Sequence, residues 1–186
     1  MIWLLVASLL AAPQHRRGQP QDKPAPVENL TDDELRSRIS AYLGTIDTPI
    51  SLERWRSLGP KAAAVLEPLV LDKSALPTRR AHALEGLSGA APDRALAVAP
   101  QLLHDEEAPT VVRVAALHAA GRLLPAAQLG AQLKPVLEGA RDPGLRGLAA
   151  DVLAQHGGCA SVKAQAARES ADAREAYHRA LSRCEE

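Results

Sequence analysis

Arg80-Ala81-His82-Ala83-Leu84-Glu85-Gly86-Leu87, Arg113-Val114-Ala115-Ala116-Leu117-His118-Ala119-Ala120 and Arg146-Gly147-Leu148-Ala149-Ala150-Asp151-Val152-Leu153 are three versions of one phrase. The arginines lie 33 residues apart, since 113 − 80 and 146 − 113 agree. In that register Ala83, Ala116 and Ala149 coincide, as do Leu84, Leu117 and Ala150, and then Leu87, Ala120 and Leu153. Pro77, Pro109 and Pro143 stand three or four residues before each arginine, where a helix would start. Self-similarity at a fixed period is the mark of stacked helical or strand repeats, each burying its apolar face on the next.

Composition decides which kind. Apolar content is dominated by Ala, Leu and Val, and the only aromatic residues are Trp3, Tyr42, Trp55 and Tyr177. Small side chains suit closely spaced helices, whereas a sheet would favour branched and aromatic ones. The expected fold is therefore all-α: a right-handed α-solenoid of stacked antiparallel helix pairs, with about ten helices. The 22 Lys and Arg balance the 22 Asp and Glu. A nucleic-acid partner normally calls for a basic surplus, so none is expected.

Outward from the repeats, Ile2 to Ala12 is an uncharged apolar run of 11 residues. It is too short to span a bilayer but suits a secretory signal or short anchor, assigned to residues 1–12. Contact with a membrane is expected only through this segment, if it is uncleaved. Residues 13–29 hold four prolines and almost no large apolar side chain. Such a stretch cannot offset its chain entropy by burial and reads as a disordered Pro/Gln-rich linker. The repeat domain is expected over residues 30–158.

It opens on the capping box Thr31-Asp32-Asp33-Glu34, followed by Leu35, Ile39, Tyr42 and Leu43 on one face and a stop at Gly44. Thr48-Pro49 is expected to open a second helix, with Leu52, Trp55 and Leu58 inward and Gly59 ending it. Pro60 starts a third with Ala63, Val65, Leu66 and Leu69 inward. Further helices are predicted over residues 77–89, 92–104, 109–124, 126–139 and 143–156. Pro68, Pro100 and Pro135 recur near the same point of alternate helices. After Gly157-Gly158 a polar, Ala-rich pair over residues 159–186 reads as a terminal capping hairpin, which repeat arrays require.

Two antiparallel helices per unit, an interior proline in the first and an arginine opening the second: this resembles the HEAT-repeat family. Val112-Arg113-x-x-Ala116-Leu117 with Gly121 and Leu123 is the closest local match. The resemblance spans roughly Trp55 to His156 and implies an architecture rather than a chemistry. The family's aspartate shortly before the arginine has only irregular counterparts: Asp72, Asp105 and Asp142 precede Arg80, Arg113 and Arg146 by 8, 8 and 4 residues.

At about 100° per residue, positions 3, 4 and 7 after the arginine cluster on the arginine's own side. Arg80, Arg113 and Arg146 thus sit at the core edge, in a structural role, bonding carbonyls or carboxylates across repeats. Positions 2, 5 and 9 fall opposite. There the candidate partner-binding residues are His82, Glu85, His118, Arg122, Asp151 and Gln155. Arg79 and Arg141 read as ordinary solvated charges.

Cys159 and Cys184, the only cysteines, stand at the start and end of the terminal hairpin. An antiparallel pair brings those points together, so a disulfide is expected and with it an oxidising compartment, periplasmic or secreted.

Catalytic chemistry finds no foothold. His82-x-x-Glu85 and His104-Asp105-Glu106 fall short of the three or four converging ligands a metal needs. The His-Glu dipeptides of the similarly built deoxyhypusine hydroxylases are missing. No G-x-S-x-G and no phosphate-cradling Gly-rich loop occurs. No catalytic residue, metal or cofactor is therefore expected, and the reading is a non-enzymatic scaffold or adaptor whose partner is another protein. Two rivals are a cytoplasmic enzyme-associated repeat protein resembling the bilin lyases and a DNA-lesion-binding one resembling the alkylpurine glycosylases. The first would need a reactive pocket, and the second a basic concave face with aromatic side chains.

Overall fold

The structure, a computed structural model, describes residues 30–45 and 49–185, without the side chains of residues 171 and 172. The signal or anchor expected at residues 1–12 and the linker at 13–29 lie outside the described residues. What is described is helical and contains no strand. The helices are α1 (Asp32–Leu43), α2 (Leu52–Arg56), α3 (Ala63–Leu71), α4 (Pro77–Ala90), α5 (Pro92–His104), α6 (Thr110–Leu123), α7 (Ala126–Gly139), α8 (Pro143–Gln155), α9 (Cys159–Ala166), α10 (Ala171–Arg174) and α11 (His178–Arg183). A single 3-10 turn, Glu175–Tyr177, joins α10 to α11 in right-handed helical backbone, so the two form one continuous run.

α1 opens on its capping box: the Glu34 amide donates to Thr31 Oγ1 at 3.3 Å and the Thr31 amide to Glu34 Oε2 at 2.8 Å. The second helix departs from expectation. It begins at Leu52 rather than at Pro49, because the Ser51 hydroxyl accepts from the Arg54 amide at 3.3 Å and takes the cap. α3 is also rotated from its expected phase. Ala62, Leu66 and Val70 are fully buried, while Val65 and Leu69 are half-buried. Ala62, the last residue of the 3-10 turn Pro60–Ala62, leads that stripe at the four-residue spacing of Leu66 and Val70, which places Val65 and Leu69 on its flank.

From α3 onward the helices pack as pairs, α3 on α4, α5 on α6 and α7 on α8. Successive pairs then meet through α4, α6 and α8 in series on one side and α3, α5 and α7 on the other. Alanines and leucines of the repeated phrase fill the seam: Ala83, Ala116, Ala149, Leu84, Leu117 and Ala150 are all fully buried. Leucine in place of Ala116 or Ala149 should overpack that seam and lower stability by about 1–3 kcal/mol. A thermal melt reads this directly, and unchanged midpoints for both variants would contradict the packing.

The three arginines occupy the fourth residue of α4, α6 and α8. Arg80 Nε donates to Val70 O at 3.0 Å, Arg113 Nε to Leu103 O at 3.1 Å and Arg146 Nη1 to Ala140 O at 2.6 Å. Each acceptor lies at the end of the preceding helix, where the last carbonyls have no intrahelical donor and carry the negative end of the dipole. One guanidinium per pair therefore closes the first helix onto the second. The aspartates play another part: Asp72, Asp105 and Asp142 accept the amides of Ser74, Glu107 and Gly144, two residues on in every case. Unequal offsets from the arginine thus conceal one common task, turning the chain into the next helix.

The C-terminal run is fastened at several points. Cys159 and Cys184 form a disulfide with Cα atoms 5.5 Å apart, joining the first residue of α9 to the residue after α11. Arg146 Nε and Nη2 both donate to Glu169, each at 2.7 Å, a bidentate pair that is almost fully buried. Gln165 and the Tyr177 hydroxyl donate to the same carboxylate at 3.1 and 3.0 Å. These donors, Arg146 above all, hold the Glu169 carboxyl down to about 2. Tyr177 is fully buried, and that burial together with Glu169 pushes its hydroxyl well above the usual phenol range.

Candidate partner-binding groove

Glu85, His118 and Asp151 are all ninth residues of their helices and so recur at the 33-residue period of the arginines. Arg122 and Gln155 share the thirteenth place, and His82 takes the sixth. One side chain per helix thus forms a polar row across α4, α6 and α8. The row is less open than helical periodicity alone implies. Arg122 and Gln155 are exposed; His82, Glu85 and His118 are half-buried; Asp151 is buried.

Two elements from outside the repeats account for this. At one end α2 lies on α4, with the Trp55 ring against Gly86 and the Trp55 Cβ against Gly89. A Cβ at Gly89 would stand 2.6 Å from Trp55 Cβ and 3.1 Å from Leu52 O, so only glycine permits the approach. Tyr42 then meets Trp55 edge to face, ring centroids 5.1 Å apart. At the other end the α10–α11 run lies on α8. Gly147 makes room for it, since a Cβ there would strike the Ala176 backbone. α6 has its main contacts with α4, α5, α7 and α8, and it forms the floor between these two covers.

Clefts line both sides of that floor. One of about 100 Å³ lies among Tyr42, Ile50, Trp55, His82 and Glu85. Another of about 220 Å³ opens between α6, α8 and α11 and includes His118, Arg122, Asp151, Gln155 and Arg179. A third, of about 350 Å³, runs under the C-terminal run beside Gly147, Asp151 and Glu175. Electrostatics differ along the row. Burial lowers the His118 pKa, Arg122 lowers it further and Glu85 opposes both, so the net effect favours the neutral imidazole. Although Arg122 is exposed as a residue, protein packed beside its guanidinium partly desolvates it and lowers its pKa, again against Glu85. Asp151 accepts from Arg183 Nε at 2.8 Å and from Gln155 Nε2 at 3.0 Å. Asp151 and Gln155 therefore belong to a bridge between α8 and α11, separate from the His118–Arg122 centre of the row.

Arg79 and Arg141 are exposed, and Arg141 pairs with Glu106 at 3.3 Å. Among the described residues no group of three or more His, Cys, Asp or Glu side chains converges as metal ligands would. The sequence reading passed over Glu169, Arg179 and Arg183, which lie beyond the period and carry no register of their own. Gly86, Gly89 and Gly147 were the available signal. Glycine inside a helix is unfavourable, and at these places it marks the approach of a second element. Comparison of the chain with protein-family models, with curated proteins and with solved structures gives no match.

Proposed function

We propose that the chain is a right-handed α-solenoid of the HEAT type acting as a non-enzymatic scaffold or adaptor, with another protein as its partner. The observation that carries this reading is the polar row itself. Glu85, His118 and Arg122 are presented, half-buried or exposed, on a floor left open between two covering elements. Equivalent arginines at the fourth residue of three helices support the solenoid, since every pair is closed by the same bond. The clefts support a protein partner rather than a small molecule. Two of them, at about 100 and about 220 Å³, fall below the roughly 300–1,000 Å³ of typical ligand sites, and the third, at about 350 Å³, reaches only the lower edge of that range; their walls are part polar rather than predominantly apolar.

Export is part of the proposal. The Cys159–Cys184 disulfide is compatible with an extracytoplasmic location, and the apolar run from Ile2 to Ala12 has the length of a secretory h-region. Among the described residues no helix is long and apolar enough to cross a membrane.

The test is recovery of native partners by the wild-type protein and by the His118→Ala/Arg122→Ala variant. Partner binding should weaken by about 2 kcal/mol or more, the effect of interface hot spots. The melting midpoint should change little, as for most substitutions outside a packed core. Equal recovery of every partner by both proteins would mean that the row is only a solvated face.

A further inference from the structure

The cleft between α6, α8 and α11 gathers cations that the fold leaves unneutralised. Arg122 comes from the last turn of α6 and Arg179 from α11, and His118 and His156 stand beside them. Among the described residues neither Arg122 nor Arg179 takes part in a salt bridge. The wall's own carboxylate, Asp151, is already bound to Arg183 and Gln155. Glu85 acts on His118 and Arg122 from α4 but does not line the cleft. Among the residues lining the cleft two guanidinium groups, Arg122 and Arg179, thus stand against the single carboxylate of Asp151, leaving a positive excess. Leu148 and Val152 add an apolar wall beside the cations. At about 220 Å³ the cleft is far larger than the roughly 30 Å³ share of one water, so it admits a group of several atoms.

We propose that this cleft receives a carboxylate side chain from an acidic, leucine-bearing segment of the protein partner. Guanidinium forks match a carboxylate in plane and spacing and gain most where water is partly excluded. The Leu148–Val152 wall suits the methylene stem and apolar neighbour of such a side chain, which a free inorganic ion would leave uncovered. This rests on the scaffold reading above and specifies the chemistry of what binds.

The probe is a blocked hexapeptide alternating leucine and glutamate, titrated into the intact oxidised protein with labelled histidines while the imidazole signals are followed by NMR. Saturable shifts at His118 and His156 are expected. Binding should weaken at least about tenfold, or roughly 1.4 kcal/mol, on Arg179→Gln and on exchanging the peptide's glutamates for glutamine. Arg179→Lys should retain part of the affinity, and the melts of both variants should match wild type. Absence of saturable shifts, equal binding of the glutamine peptide, or unchanged affinity of Arg179→Gln would each overturn the proposal. Inorganic phosphate displacing the peptide at equal or lower concentration would overturn it too, in favour of a simple ion site. Arg179 lies outside the row tested by partner recovery, so the two readings can fail separately. Loss of partners with the double variant and silence with the peptide removes only the carboxylate.

Discussion

Arg146→Ala is expected to lower the unfolding free energy by about 3–5 kcal/mol, the loss that follows when one member of a buried ion pair is removed. At about 2–4 °C per kcal/mol for a domain of this size, the melting midpoint should fall by roughly 10 °C. The magnitude follows from what is stranded. Glu169 is nearly inaccessible, with its side chain 7% exposed, and without Arg146 it keeps only Gln165 and Tyr177 as donors. The Ala140 carbonyl loses its Nη1 donor as well. Acid should act on the same group. The Glu169 carboxyl is held at about 2, below its ordinary 4.5. Its contribution is therefore complete above about pH 4.5 and is lost as the pH falls towards 2. Glu169→Gln should flatten the stability profile across that interval, leaving the rest of the acid limb in place. Calorimetry between pH 2 and 7 reads both effects, and a wild-type acid limb in the glutamine variant would contradict the assignment.

Opening the disulfide is expected to be the next largest change. Cys159 and Cys184 are 25 residues apart, and closing a loop of that length removes unfolded-chain entropy worth about 3.5 kcal/mol in the loop-closure model. Reduction, or Cys159→Ser with Cys184→Ser, should lower the midpoint by a comparable margin and open the C-terminal run to proteolysis before the repeats. Both the disulfide and the Arg146–Glu169 pair hold this one element. Their losses should therefore combine to less than the sum of the two, as for sites that share a structural unit. Unaltered melting and protease resistance on full reduction would mean that the bridge restrains nothing.

Much of the helical frame could be read from the sequence because the information was periodic. Arg, then Ala and Leu at fixed distances, repeated at one spacing, fixes which side of α4, α6 and α8 is buried. Proline at or just before their first residues fixes where they begin. The cysteine pair was legible for a different reason: two residues at opposite ends of a short hairpin leave one pairing. α2 was not legible in detail. Five residues carry too little periodicity to fix a boundary, and the Ser51 cap outweighed the Pro49 start. The openness of the polar row was misjudged in part because a helical wheel separates core from outer face within one array. It takes no account of an element from elsewhere lying on that outer face. Trp55 over Gly86 and Gly89, and the Ala176 backbone over Gly147, bury surface that period alone assigns to solvent. Asp151 shows the consequence, occupying the same register as His118 yet committed to Arg183. Glu169 was invisible for a related reason. Its partners Arg146 and Tyr177 lie 23 and 8 residues away, and no local pattern relates them.

The central claim is that one bond, from the fourth-residue arginine to the end of the preceding helix, recurs in each pair and defines the repeat. Exchange of the arginine guanidinium N–H protons, Nε for Arg80 and Arg113 and Nη1 for Arg146, tests it most directly, with NMR signals assigned through single arginine-to-lysine variants. Arg80 and Arg113 donate Nε–H to the Val70 and Leu103 carbonyls, and Arg146 donates Nη1–H to the Ala140 carbonyl. These three signals should be protected from solvent exchange by at least about a hundredfold relative to the exposed Arg79, and protection should vanish only on unfolding of the pair concerned. Rapid exchange at any one of the three would contradict the account, because that pair would then lack the bond on which the repeat is built.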